Sequence, residues 1–355
     1  MVRALLSHDL PRSRWLTLLL VVTVLGLALA PFLFPGTKSL NVAAKALVFI
    51  ALVVSYDLLL GYTGIVSFAH TMFFGIGAYG IAIASSRMEP SWTALGLGLG
   101  AALLASLLLS LVIGLASLRV KAIFFAMITL AVASAFLTLA SQLSEFTGGE
   151  DGLNFRLPAL LRPATQFLDE PLFGVAIDGR LLTYYLVFFT VAALVLLMLR
   201  IVNSPFGRVL MAIRENAFRA EAIGYRTVVY RTASNVLAAL FATVAGALLA
   251  LWLRYAGPET SMSFEIMLDV LLIVVIGGMG TVYGAVIGSV LFVLAQNYLQ
   301  DLMRLAEGPL GGVPVLGALV SPDRWLLWLG VLFILSVYHF PTGIVGRLRA
   351  AAGKR

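Results

Sequence analysis

Apolar runs of about twenty residues recur along this chain, separated by short polar or glycine-rich stretches. They lie near 15–34, 40–60, 65–86, 91–118, 122–143, 181–202, 232–253, 266–282, 284–300 and 325–341. A helix of ~20 apolar residues spans the ~30 Å hydrocarbon core of a bilayer. Inside lipid the backbone must satisfy its own polar groups, so each run reads as helix. The pattern predicts one all-α integral membrane domain over residues 1–355, with about ten transmembrane helices. The first run contains Ala28-Leu29-Ala30, which has the form of a cleavage site. Pro31 follows and disfavours cleavage, so the run is expected to persist as the first helix.

Composition narrows the class. The chain has 355 residues, 61% hydrophobic and only 12% charged, which excludes a soluble globular domain. Cysteine is absent, which excludes disulfides, thiol catalysis and cysteine-ligated metals. The net charge of +7 is concentrated at the two ends and in one loop. That is the positive-inside pattern of membrane proteins and not a nucleic-acid patch. Ten spans put both termini on one side. Arg3, Arg12 and Arg14 precede the first span, and Arg347, Arg349, Lys354 and Arg355 follow the last. Arg119 and Lys121 mark the fourth-to-fifth turn as belonging to the same, cytoplasmic, side. The loop 144–180 falls outside and is acidic: Glu145, Glu150, Asp151, Asp169, Glu170 and Asp178 face three arginines.

The cytoplasmic loop 203–231 carries the most information. From Arg200 to Arg231 the chain holds six arginines against Glu215 and Glu221. Ser204-Pro205 is an N-cap and N1 pair. Phe206, Val209, Leu210, Ile213, Ala217 and Ala220 then recur at helical spacing as one apolar stripe. Arg214-Glu215-Asn216 divides the segment into two short helices, and Gly224 is placed to end the second in the left-handed conformation. A short amphipathic helix among mixed charges suits a groove on another protein; the bland alternative is a helix lying flat on anionic lipid.

Two segments are dense in glycine. Gly61, Gly64, Gly75 and Gly77 punctuate the first, and Gly277, Gly278, Gly280, Gly284 and Gly288 the second. Glycine-interrupted apolar segments in corresponding halves point to a transport pathway, whereas small residues at regular spacing also serve close helix packing. Residues 61–80 are expected to form a broken helix lining a pathway, with Gly64, Ser67, His70, Phe74, Gly75 and Gly77 as its candidates. Residues 277–288 are expected to break and to pack. Ser67 and His70 share a helix face, as pathway lining or as a helix-to-helix hydrogen bond, with no strained elbow or oxyanion hole to make a hydrolase. Asp57, Lys45 and Asp269 lie near span ends: Asp57 within reach of water or a helix N-terminus, Lys45 free to snorkel outward. No phosphate-cradling Gly-Lys-Ser/Thr loop occurs, and three scattered histidines (His8, His70, His339) make no zinc site. The chain is therefore expected to be no enzyme and to bind no cofactor itself.

Residues 214–224, Arg-Glu-Asn-Ala-Phe-Arg-Ala-Glu-Ala-Ile-Gly, resemble the cytoplasmic coupling motif of permease subunits of ATP-binding-cassette importers. The run from Gly61 to His70, continued by Phe73 to Tyr79, resembles the branched-chain amino acid (LivM-type, hydrophobic amino acid uptake) family. Thr147 to Leu153, Ile276 to Gly284 and Pro341 to Gly346 fit the same family, in order along the chain. Ala69 stands where that family favours glycine, and Asp57 where Asn is commoner. The resemblance implies a type II-like importer fold in the bacterial inner membrane. It implies a second permease subunit as heterodimer partner, two cytoplasmic ATPases that use ATP and Mg, and a periplasmic or lipid-anchored solute-binding protein. It assigns ATPase coupling to Arg214, Glu215, Ala217, Arg219, Ala220, Glu221 and Gly224. It leaves the solute open among branched-chain and other amino acids, urea and amides; an ATP-independent secondary transporter is the alternative mechanism.

Overall fold

The computed structural model describes residues 13–34, 36–117, 122–168, 175–310, 321–340 and 342–353. Arg3, His8, Arg12, Arg119, Lys121, Asp169, Glu170, Pro341, Lys354 and Arg355, used above, lie outside the described residues. All ten expected spans coincide with helices. These are α1 (Arg14–Leu33), α2 (Thr37–Asp57), α3 (His70–Arg87), α4 (Trp92–Ser117), α5 (Ala122–Gln142) and α6 (Gly179–Asn203), followed by two short helices, α7 (Pro205–Glu215) and α8 (Ala217–Ala222). The series continues with α9 (Thr227–Leu253), α10 (Phe264–Gly277), α11 (Val282–Leu310), α12 (Trp325–His339) and a closing α13 (Gly343–Gly353). Nine helices among the described residues are long and apolar enough to cross a membrane. The tenth, α3, falls below them because His70, Thr71, Ser85, Ser86 and Arg87 dilute its eighteen residues.

The core is built around α2, which is buried along most of its length and packs against α1, α6, α9, α10 and α11. Helix α3 packs on α9 with almost no space between backbones. A Cβ on Gly77 would run into the Thr243 carbonyl, and one on Gly246 into the Phe74 carbonyl. Small residues at both crossing points let the two backbones touch, which is how helices associate in lipid. Helix α1 is mostly exposed, as a lipid-facing helix is, and contains Pro31. Proline has no N–H for the carbonyl of Leu27 four residues earlier. Tyr184 of α6 supplies the missing donor: its hydroxyl bonds that carbonyl at 2.5 Å, and Tyr185 donates to the Ala28 carbonyl at 2.9 Å.

The described residues of the loop expected outside are tied to the rest of the chain by its own groups. Leu153–Asn154 (β1) pairs antiparallel with Tyr255–Ala256 (β2), and the Tyr255 hydroxyl donates to the Asp151 carbonyl at 3.0 Å. Asp178 caps α6 by accepting from the Leu181 N–H at 2.9 Å. The basic loop is shorter than its expected bounds, because Thr227 to Arg231 already belong to α9. Thr227 is buried there and Tyr230 stacks on Phe206, so tertiary packing extends the helix past its charges.

Candidate functional site

Helices α7 and α8 form as their sequence dictates. Ser204 accepts from the Gly207 N–H and Pro205 opens α7. Asn216 ends α7 and caps α8, accepting from the Arg219 N–H at 2.9 Å. Gly224 has φ +99°, with its N–H on the Glu221 carbonyl and the Tyr225 N–H on the Ala220 carbonyl. That is the paired closure of a left-handed helix end. The apolar stripe, however, does not await a partner. Leu210, Ile213 and Ala220 are buried on the chain's own core, and Phe206 stacks on Tyr230 at 5.8 Å. What faces outward is a different set: Phe218 at 81% exposure and Ile223 at 68%, among Glu215, Arg219 and Glu221. The Glu221 carboxylate also accepts from the Thr227 hydroxyl, tying α8 to the start of α9.

Where α7 ends, it meets both glycine-rich breaks. Residues Leu58–Thr63 form a π-turn closing on Gly64 at φ +73°, and the chain runs without helix to Ala69 before α3 begins. π-turns are rare and concentrate at functional sites. The second break, between α10 and α11, turns through Gly278 and Gly280 at φ +116° and +77°. Asp57, 1% exposed, accepts from the Gly280 N–H at 2.8 Å, two residues before α11, so it serves a helix N-terminus as its sequence position allowed. Arg214 donates to the carbonyl of Gly61, and its side chain packs on Gly64. Gly277 and Gly284 approach backbone to backbone, and Gly288 lies against Ile273 and Gly277, so these serve packing. One charged side chain of the amphipathic element thus rests on one broken helix, which in turn is bonded to the other.

The candidates in 61–80 divide. The break is present, but Ser67, His70, Gly75 and Gly77 are enclosed by protein. His70 Nε2 and Ser55 Oγ share a hydrogen bond at 2.8 Å, and the His70 ring lies 5.1 Å from that of Tyr56. This is the helix-to-helix reading of His70, joining α3 to α2. Gly75 accommodates Met262. Gly64 is exposed beside Arg214, and Phe74 reaches the floor of a cavity at the opposite end of the bundle.

That cavity, about 730 Å³, lies between the ends of α2, α9, α10 and α11 remote from α7 and α8. Lys45 does not snorkel out. Its ammonium donates to Gln296 Oε1 at 2.9 Å, and Gln296 Nε2 donates to Asp269 Oδ2 at 3.3 Å. Gln296 was not legible as a site residue: it is an uncharged polar residue, followed by Asn297, toward the end of an apolar run. Among the described residues no group of His, Asp and Glu has the arrangement to hold a metal ion.

Membrane-length helices, two glycine breaks and a surface helix pair bonded to one of them define a transmembrane permease. Residues 39–337 match the family described as branched-chain amino acid transport system / permease component, and the chain belongs to that family. Two relatives are high-affinity branched-chain amino acid transport system permease proteins LivM. That of Salmonella typhimurium is 27% identical over 323 residues, and that of Escherichia coli K12 is 28% identical over 324. Each alignment covers 87% of this chain and 74% of the relative. A probable branched-chain amino acid transport permease protein LivM of Methanocaldococcus jannaschii is 27% identical over 148 residues, 41% of each chain. No solved structure matches.

Proposed function

We propose that this chain is one of two permease subunits of an ATP-binding-cassette importer that moves branched-chain or other hydrophobic amino acids across the bacterial inner membrane. Both termini and the 203–231 loop face the cytoplasm, and the 144–180 loop faces the solute-binding protein. The chain carries no ATPase centre of its own. Two partner ATPases bind ATP and Mg, and a second permease completes the pathway. The observation that carries this reading is the α7–α8 element: anchored through Leu210, Ile213 and Ala220, it leaves Phe218 and Ile223 exposed among charges. An apolar anchor ringed by charged residues is the composition of a protein-docking surface.

Coupling then follows from the contacts. Closure of the ATPases pulls on α7 and α8 through Glu215, Ala217, Arg219, Phe218 and Ile223. Arg214 passes the displacement to Gly61, and Asp57 passes it to Gly280. Both broken helices move together, and the cavity remote from α7 opens to the binding protein. Gly64, Ser67, His70, Phe74, Gly75 and Gly77 act here as the frame that moves. Hydrolysis resets the inward-facing state.

Affinity purification of the tagged chain from native membrane tests the reading. Recovery of two ATPases and a second permease, with ATP-dependent leucine accumulation in proteoliposomes supplied with binding protein, is the expected result. A chain recovered alone, driving uptake without ATP, overturns it.

A further inference from the structure

The outer cavity contains opposite charges at membrane depth that the coupling scheme does not use. Lys45 lies eight residues into α2, ~12 Å from its start at ~1.5 Å per residue. Asp269 is five residues into α10. Charges held against hydrocarbon are costly, so this groove faces water or protein and not lipid. Its volume falls within the ~300–1,000 Å³ typical of small-molecule sites.

Lys45 and Asp269 do not pair directly. Gln296 stands between them, its amide oxygen on the Lys45 ammonium and its amide nitrogen on the Asp269 carboxylate. One short group thus offers an acceptor to the cation and a donor to the anion. The zwitterionic end of an α-amino acid presents the same two functions, an accepting carboxylate oxygen and a donating ammonium nitrogen, separated by two carbons where the amide has one. Gln296 therefore lies where such an end would bridge the two charges. One part of the wall is apolar, formed by Val42, Phe49, Leu249, Trp252 and Ile266, and the rest carries polar groups such as Asn41, Thr260 and Ser263. Glu259 and Glu265 add negative charge to the lining, and Lys38 is engaged by Asp301.

We propose that this cavity is a transit site for an α-amino acid with an aliphatic side chain, in which Lys45 takes the carboxylate, Asp269 takes the ammonium, and Gln296 swings aside. The site rests on the importer reading and adds what it recognises. A solute without opposite charges, such as urea, engages Gln296 alone and gains nothing from the flanking pair.

The test uses the permease complex co-purified from membrane, in lipid nanodiscs, with binding followed by saturation-transfer NMR. The probes are L-leucine, 3-methylbutylamine (leucine without its carboxylate), 4-methylpentanoate (leucine without its ammonium) and urea. Lys45→Met is expected to weaken leucine and 4-methylpentanoate at least tenfold while leaving 3-methylbutylamine unchanged. Asp269→Asn is expected to weaken leucine and the amine and to spare the acid. Lys45→Arg, which keeps the cation, is expected to hold leucine within a few-fold of wild type and guards against a folding defect. Leucine binding unchanged in Lys45→Met and Asp269→Asn overturns the site, as does equal loss of all probes in either variant. A wild-type complex that accumulates leucine with ATP yet shows no leucine binding also overturns the site and leaves the importer reading intact. A complex that accumulates no amino acid and prefers urea removes both.

Discussion

The link between Arg214 and Gly61 makes a quantitative prediction. The Gly61 carbonyl sits in a π-turn, where the regular ladder of hydrogen bonds is interrupted, and the Arg214 guanidinium occupies it. A hydrogen bond to a charged donor contributes ~1.5–3 kcal/mol. The Arg214 stem is exposed, which puts this bond at the low end of that range. Removing it in Arg214→Ala should release the last turn of α7 by ~1.5 kcal/mol, about tenfold in a local opening equilibrium. Leu210 is buried and Phe206 stacks on Tyr230 in the first two turns, so the effect should be confined to residues near 212–217. Hydrogen–deuterium exchange with mass spectrometry, on the chain in nanodiscs, reads this directly. The expected result is about tenfold faster exchange over 212–217, with 205–210 as an unchanged internal reference. In the assembled importer the same variant should retain ATP hydrolysis and lose uptake. Exchange equal to wild type over 212–217 would falsify the link, and uniform loosening of all of 205–222 would assign the anchoring to apolar packing alone.

Phe218→Ala removes an exposed ring that touches little of its own chain, so melting should shift by less than ~0.5 kcal/mol equivalent while ATPase co-purification falls by at least tenfold, as for a docking anchor; equal recovery of the ATPases would place docking elsewhere. Gly77→Val drives a side chain into the Thr243 backbone and should cost ~1–3 kcal/mol, read as a lower melting temperature in detergent, and wild-type melting would mean that α3 and α9 separate easily. Tyr184→Phe should cost ~1 kcal/mol in the native chain and close to nothing in a Pro31→Ala background, where the residue-31 N–H again reaches the Leu27 carbonyl. A double-mutant cycle on unfolding in mixed micelles checks this, and strict additivity would detach Tyr184 from the proline.

The sequence made all ten long helices legible because their signal is simple: ~20 apolar residues in a row cannot be paired except as helix in lipid. The helix with the weakest hydropathy, α3, is buried among other helices, and there packing rewards glycine and tolerates His70. The breaks were legible as glycine clusters, but their geometry was not. Leu58-Leu59-Leu60 reads as ordinary helix, and the π-turn is tied into the fold by the tertiary contacts of Asp57, Thr63 and Arg214. Gln296 was invisible for a related reason: its meaning comes from Lys45 and Asp269 on two other helices.

The amphipathic loop shows where pattern reading stops and why. Helical periodicity identifies a face that must be covered, and Leu210, Ile213 and Ala220 are covered, but by their own chain and not by a partner. Periodicity cannot distinguish these outcomes, since burial against self and against another protein demands the same residues. The exposed set, Phe218 and Ile223, then acquires its significance by subtraction: large apolar side chains left over after the stripe has been satisfied. Arg214 was prominent as a charge, yet its partner is a backbone carbonyl, a group every residue carries. Such a partner becomes available only where a helix is broken. A charged residue facing a glycine break on another element is therefore the combination that sequence offers, and in this chain it joins the surface helices to the bundle's two breaks.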